Sequence, residues 1–117
     1  MTDQIKLRAL TEALDEFEPI GPSDGVRSTW RFDGADPMTG CLAYRSPELG
    51  LTTYCTPGYD RSSDRDDAIV VSTVTDEGDV LGEDYAIPFV FEKTPAQTAA
   101  SFRLAMARAL RVIEGAL

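Results

Sequence analysis

The chain has 117 residues, carries a formal charge of −9 and contains no histidine. This length is typical of one domain with its own hydrophobic core, so we predict a single domain over residues 1–117. The absence of histidine excludes imidazole-based nucleophile pairs and imidazole metal ligands, and the acidic excess disfavours direct binding to nucleic acid or to an anionic membrane.

The first predicted element is an amphipathic helix over residues 3–17. Apolar residues recur there at steps of three and four, and they include Leu10, Leu14 and Phe17. The prolines and glycines of residues 19–25 end the helix.

Five short runs of β-type residues follow, and turn residues separate them. Between the second and third runs, Pro47–Gly50 suits a four-residue hairpin loop with Gly50 in the left-handed conformation. Pro88 in the last run cannot donate a hydrogen bond to a ladder, so we expect that strand to be an edge or to carry a bulge. The predicted strands are 26–32, 41–46, 51–56, 68–75 and 85–92, with acidic turns at 33–40 and 76–84.

Residues 95–115 give the clearest helix signal in the chain. Thr94 suits an N-cap, Pro95 the first helical position and Gln97 a capping box, and a wide apolar stripe follows. Helix, five strands and helix in this order predict an α+β fold. We expect a five-stranded antiparallel meander sheet with the N-terminal and C-terminal amphipathic helices on one face.

An aspartate-rich stretch is the one candidate metal site. Its carboxylates belong to Asp60, Asp64, Asp66 and Asp67. The stretch lacks the central glycine and the downstream bidentate glutamate of a calcium-binding loop, and two arginines within it would repel a cation. We therefore interpret it as a solvated connector, and we predict neither a metal nor another cofactor.

The two cysteines, Cys41 and Cys55, flank the predicted hairpin. Pairing of Ser46 with Leu51 would place the two thiols on opposite sheet faces, whereas a slip of one residue would make them direct partners. We predict buried, reduced thiols. With no visible signal peptide or apolar membrane span, they indicate a soluble cytoplasmic protein.

Arginine and tyrosine side chains cluster on the predicted solvent face of the sheet. Both residue types provide planar contact area and hydrogen bonds, which suits protein recognition. The candidate partner-binding residues are Arg27, Arg31, Arg45, Tyr54 and Tyr59.

No nucleotide-binding or hydrolase motif is present, so we expect a non-enzymatic module. The favoured function is an adaptor, chaperone or inhibitor that binds another protein through an open sheet face, which is also a candidate homodimer interface. In size, acidity and terminal amphipathic helix the chain resembles the small type III secretion chaperones.

Two alternatives remain open at the level of sequence. The first is an acidic inhibitor that mimics nucleic acid, since small phage-encoded inhibitors are similar in composition. The second is an enzyme or small-molecule-binding protein with a pocket between helices and sheet. The aromatic residues that would line such a pocket are Trp30, Phe89, Phe91 and Phe102.

Overall fold

In the computed structural model the described residues are 2–35, 41–56, 68–89 and 92–117. The chain begins with helix α1 (Thr2–Leu14), continues through five strands, and closes with helix α2 (Pro95–Gly115). The strands are β1 (Arg31–Ala35), β2 (Leu42–Ser46), β3 (Leu51–Thr56), β4 (Ala68–Thr75) and β5 (Val80–Pro88).

All five strands form one antiparallel sheet in the order β1-β2-β3-β4-β5. Each strand therefore pairs with its neighbours along the chain, which confirms the predicted α+β meander. The prediction for Pro88 is also confirmed, because Pro88 ends β5 and β5 is an edge strand.

Both helices cover the same side of this sheet. α1 packs against α2 and also contacts β1, and α2 contacts β5. Within the layer between α2 and the sheet, the rings of Tyr44 and Phe102 stack with centroids 6.3 Å apart. Phe89 meets Phe102 edge-on at 5.5 Å. Aromatic contacts of this kind add to the free energy gained by burying the rings.

The β2–β3 hairpin has the predicted register. Ser46 pairs with Leu51 and Leu42 pairs with Cys55, and Gly50 has the expected left-handed φ of 64°. Cys55 is buried in the core, whereas Cys41, which precedes β2, is half-buried. Neither Cys41 nor Cys55 is in a disulfide, and burial raises the pKa of Cys55.

The first predicted strand, 26–32, begins too early. Regular pairing starts only at Arg31, and Trp30 forms an isolated bridge with Ile20. The residues before Trp30 do not enter the ladder because the backbone N–H groups of Arg27 and Ser28 donate to the side chain of Glu114. A long-range contact thus replaces local strand pairing there.

Further boundaries also differ from the predictions. β1 continues to Ala35, inside the predicted turn 33–40, and β5 ends at Pro88 rather than at residue 92. β5 begins at Val80, because a tight turn with Gly78 at φ 94° and a bond from Thr75 N–H to the Asp79 carbonyl (2.8 Å) already reverses the chain. α1 ends at Leu14, and the next residues continue as a turn. α2 follows the prediction, and the hydroxyl of its N-cap accepts from the backbone N–H of Gln97 at 3.1 Å.

An ion pair between Asp24 and Arg103 connects the segment after α1 to α2. The guanidinium of Arg103 binds both carboxylate oxygens of Asp24, at 2.9 and 3.0 Å, and also donates to the carbonyls of Glu18 and Pro19. The hydrogen bond from Arg103 lowers the pKa of Asp24. This pairing joins residues far apart in sequence and so orders the approach to β1.

Candidate functional site

The side of the sheet away from the helices presents a row of side chains that crosses all five strands. We call this side the open face. Strand register places these residues side by side: Arg31, Arg45, Thr52, Val74 and Val80. The row changes from cationic at β1 and β2 to apolar at β4 and β5, where Val80 is 63% exposed.

A tyrosine stands in the next row of the open face. Tyr54 is 44% exposed and lies between Ala43 on β2 and Ser72 on β4. Both neighbours have small side chains, and the tyrosine itself is exposed. Tyr54 thus offers an exposed aromatic side chain on the central strand of the sheet.

Arg45 is held in place on this face. Its guanidinium binds both carboxylate oxygens of Asp76, at 2.6 and 3.0 Å, and donates to the Thr52 hydroxyl at 3.2 Å. The hydrogen bond with Asp76 raises the pKa of Arg45, and the same bond lowers the pKa of Asp76. The charge of Arg45 is therefore largely neutralised within the chain.

Arg31 is in a different situation. It is exposed and lies directly opposite Arg45 in the ladder, yet it has no ion pair among the described residues. An unneutralised guanidinium beside a fixed one is a ready receptor for a carboxylate, which a guanidinium binds through two parallel hydrogen bonds.

The structure brings together three of the five predicted partner-binding residues. Arg31, Arg45 and Tyr54 share the open face, whereas Tyr59 lies outside the described residues. The candidate metal ligands Asp60, Asp64, Asp66 and Asp67 also lie outside them. Nothing structural is therefore stated about that stretch.

The placement of Arg27 on this face was wrong. Arg27 precedes β1, and its guanidinium donates to the backbone carbonyl of Glu114 at the end of α2. The alternation of residues 26–32 suggested a strand, but the chain between Val26 and Thr29 follows the end of the helix instead. Arg27 thus belongs to a different part of the surface from Arg31.

A buried carboxylate, which sequence reasoning missed, holds this region together. Glu114 is 3% exposed, and its oxygens accept from the Ser28 hydroxyl (2.6 Å), the Ser28 N–H (3.1 Å), Trp30 Nε1 (3.0 Å) and the Arg27 N–H. Burial alone would raise the pKa of Glu114, but these hydrogen bonds outweigh it and the pKa is lowered. We call this arrangement the Glu114 clamp.

A cleft of about 320 Å³ lies beside the Glu114 clamp. Its walls combine charged groups with two leucines, and its lining consists of Arg27, Ser28, Glu48, Leu49, Glu114 and Leu117. Three of the four aromatic residues suggested as a pocket lining lie elsewhere. Trp30, Phe89 and Phe102 are buried in the core, and Phe91 is outside the described residues.

Within the described ranges, no group of three or more acidic, cysteine or histidine side chains is arranged to hold a metal ion. The helices described there are too short or too polar to cross a membrane. No protein-family model matches the sequence, and neither a curated protein nor a solved structure gives a significant match.

Proposed function

We propose that this protein is a non-enzymatic interaction module that binds an acidic segment of another protein on its open face, within the cytoplasm. The observation that carries the proposal is Arg31, an exposed guanidinium without an ion pair in the described part of the chain, next to the fixed guanidinium of Arg45. A carboxylate from a partner would pair with Arg31 through two parallel hydrogen bonds and neutralise its charge.

The rest of the open face supplies what an interface needs beyond one ion pair. Tyr54 provides a rigid aromatic contact, and Val74 and Val80 provide apolar area at the other end of the row. Tyrosine and arginine are enriched among the residues that dominate binding energy in protein interfaces. A partner with a carboxylate followed by apolar side chains would match the row in both charge and hydrophobicity.

To test this, the native chain and its variants are immobilised and incubated with a lysate of the source organism. The proteins that each one retains are then compared. We expect the native chain to retain a partner that Arg31→Glu and Tyr54→Ala both lose, because these changes reverse the charge or remove the aromatic ring. The matched control is Arg108→Glu, which reverses an exposed arginine on α2, away from the open face. Circular dichroism would verify that every variant is folded.

Retention of the same proteins by Arg31→Glu as by the native chain would contradict this proposal. So would a partner that Arg108→Glu loses and Arg31→Glu keeps. A purified partner would then be titrated at two salt concentrations, because an interface centred on Arg31 should weaken as ionic strength rises.

A further inference from the structure

The cleft beside the Glu114 clamp lies where three parts of the chain meet. The turn between β2 and β3 contributes Glu48 and Leu49 to its walls. The segment before β1 contributes Arg27 and Ser28, and the end of α2 contributes the other two lining residues. Its volume of about 320 Å³ lies at the lower end of the range of small-molecule pockets, roughly 300–1,000 Å³. The cleft can therefore accommodate a small ligand.

Hydrogen bonds between these three parts hold the walls of the cleft in place. Glu48 accepts from the Thr29 N–H at 3.2 Å, and the hydroxyl of Ser46, at the end of β2, donates to the Ser28 hydroxyl at 3.2 Å. The Glu114 clamp joins the same segment to α2. The cleft is thus preformed, as small-molecule sites usually are, and a ligand need not order its walls on binding.

Two of the three charged side chains that line the cleft pair with each other. Arg27 Nε lies 3.8 Å from the carboxylate of Glu114, and the guanidinium also donates to the backbone carbonyl of Glu114. The third, Glu48, accepts from a neutral N–H at one oxygen and has no cationic partner in the described part of the chain. The cleft therefore keeps one negative charge that is not neutralised. The net charge of −9 also favours the approach of a cation over that of an anion.

The apolar part of the lining comes from two exposed leucines. Leu49 is 38% exposed and Leu117 is 60% exposed. Single exposed leucines are common on protein surfaces, but these two line the same cleft as the carboxylate of Glu48. A hydrocarbon chain that covered them would remove apolar area from water on both sides of the contact. The lining thus matches a ligand with a positive end and an apolar body.

We propose that this cleft binds a primary ammonium group on a short hydrocarbon chain. The ammonium donates to the Glu48 carboxylate, and the chain lies against Leu49 and Leu117. An ammonium has three N–H donors and no acceptor, so it pairs with Glu48 without competing for the donors that Glu114 already binds. The lining does not include the open-face residues Arg31, Tyr54 and Val80. The proposal is therefore independent of the proposed function, and either can fail without the other.

Titration of the isotope-labelled chain with hexylamine, followed by the NMR chemical shifts of its backbone amides, tests the proposal. We expect saturable shifts at Thr29, Leu49 and Leu117, with a Kd of about 1 mM or tighter. Hexanol and hexanoate should each bind at least about fivefold more weakly, since neither carries a positive charge. Butylamine should bind more weakly by roughly two- to fourfold for each methylene removed. Nα-acetyl-lysinamide presents the same ammonium on a side-chain stem, and tighter binding than hexylamine would identify the ligand as a lysine of another protein rather than a free amine.

Variants of the lining separate the ionic contact from the apolar one. Glu48→Gln should weaken hexylamine binding by about fivefold or more and leave hexanol binding unchanged, whereas Leu49→Ser should weaken both. Both positions are exposed, so both variants should fold. The matched control is Glu92→Gln, which removes an exposed carboxylate before the first turn of α2, at the opposite end of that helix from Glu114. Shifts that do not saturate or that lie outside the cleft, equal binding of hexylamine and hexanoate, or equal affinities of Glu48→Gln and Glu92→Gln for hexylamine would each overturn the proposal.

Discussion

Replacement of Glu114 by glutamine should strongly destabilise the protein, although the two side chains have nearly the same size and shape. The carboxylate has two acceptor oxygens: the Arg27 N–H binds one, and the Ser28 hydroxyl, the Ser28 N–H and Trp30 Nε1 bind the other. An amide keeps only one acceptor and presents a donor in place of the other. At least one donor around the side chain therefore loses its acceptor, in whichever orientation the amide settles.

The magnitude follows from these bonds. An unsatisfied buried donor costs about 1–3 kcal/mol, and hydrogen bonds to a charged acceptor are stronger than those to a neutral one. We therefore expect Glu114→Gln to lower the free energy of unfolding by about 2–3 kcal/mol, which for a domain of this size is a fall in Tm of about 10 °C. That loss is a large fraction of the stability of a typical domain.

Urea unfolding followed by circular dichroism and tryptophan fluorescence measures this difference at neutral pH. Glu48→Gln is the matched control, because Glu48 also accepts a backbone N–H from the same segment, at 3.2 Å from Thr29, but at an exposed position. We expect the control to change the free energy of unfolding by less than about 0.5 kcal/mol. Equal and small effects of the two substitutions would refute the reasoning.

Three further predictions concern the interior and its titration. The hydroxyls of Thr53 and Thr73, 2.9 Å apart in the core, bind each other; Thr53→Val alone should cost about 1–2 kcal/mol, and adding Thr73→Val should recover most of it, because no hydroxyl is then unpaired. Strictly additive losses in the double-mutant cycle would contradict this. In the native state a thiol reagent should modify Cys41 well before Cys55, whose burial raises its pKa and blocks access; equal rates for two single-cysteine variants would be inconsistent with the fold. Because the folded-state pKa of Glu114 is below its ordinary value of 4.5, its contribution is present above pH 4.5 and lost as the pH falls through the folded-state pKa. The difference in free energy of unfolding between the native chain and Glu114→Gln should therefore be constant near neutral pH and shrink in acid. A difference that grows toward low pH would contradict a lowered pKa of Glu114.

Features encoded by neighbouring residues could be predicted from the sequence. The turn Pro47–Gly50 determined the β2–β3 register, since its length leaves Ser46 and Leu51 facing each other. Thr94 and Pro95 likewise placed the start of α2. In both cases a few adjacent residues carry the conformational preference, and tertiary packing does not override it.

The Glu114 clamp could not be predicted because it joins residues 84 to 87 positions apart. The sequence did contain one signal: Glu114 follows Leu110 by one helical turn and so falls on the buried stripe of α2. A charged residue in that position requires donors, but nothing local indicates that residues 27–30 supply them. The same contact removed residues 26–29 from the ladder, which explains both the late start of β1 and the wrong placement of Arg27.

The order of the strands has a consequence for biosynthesis. Since every strand pairs with its neighbour in the chain, the sheet can assemble from one hairpin to the next as residues leave the ribosome. α2 is translated afterwards, so the apolar side of the sheet that α2 covers remains exposed to solvent until residues 95–115 emerge. The nascent chain thus passes through a stage in which chaperones can bind it, and that stage ends when the last turn of α2 brings Glu114 to Arg27, Ser28 and Trp30.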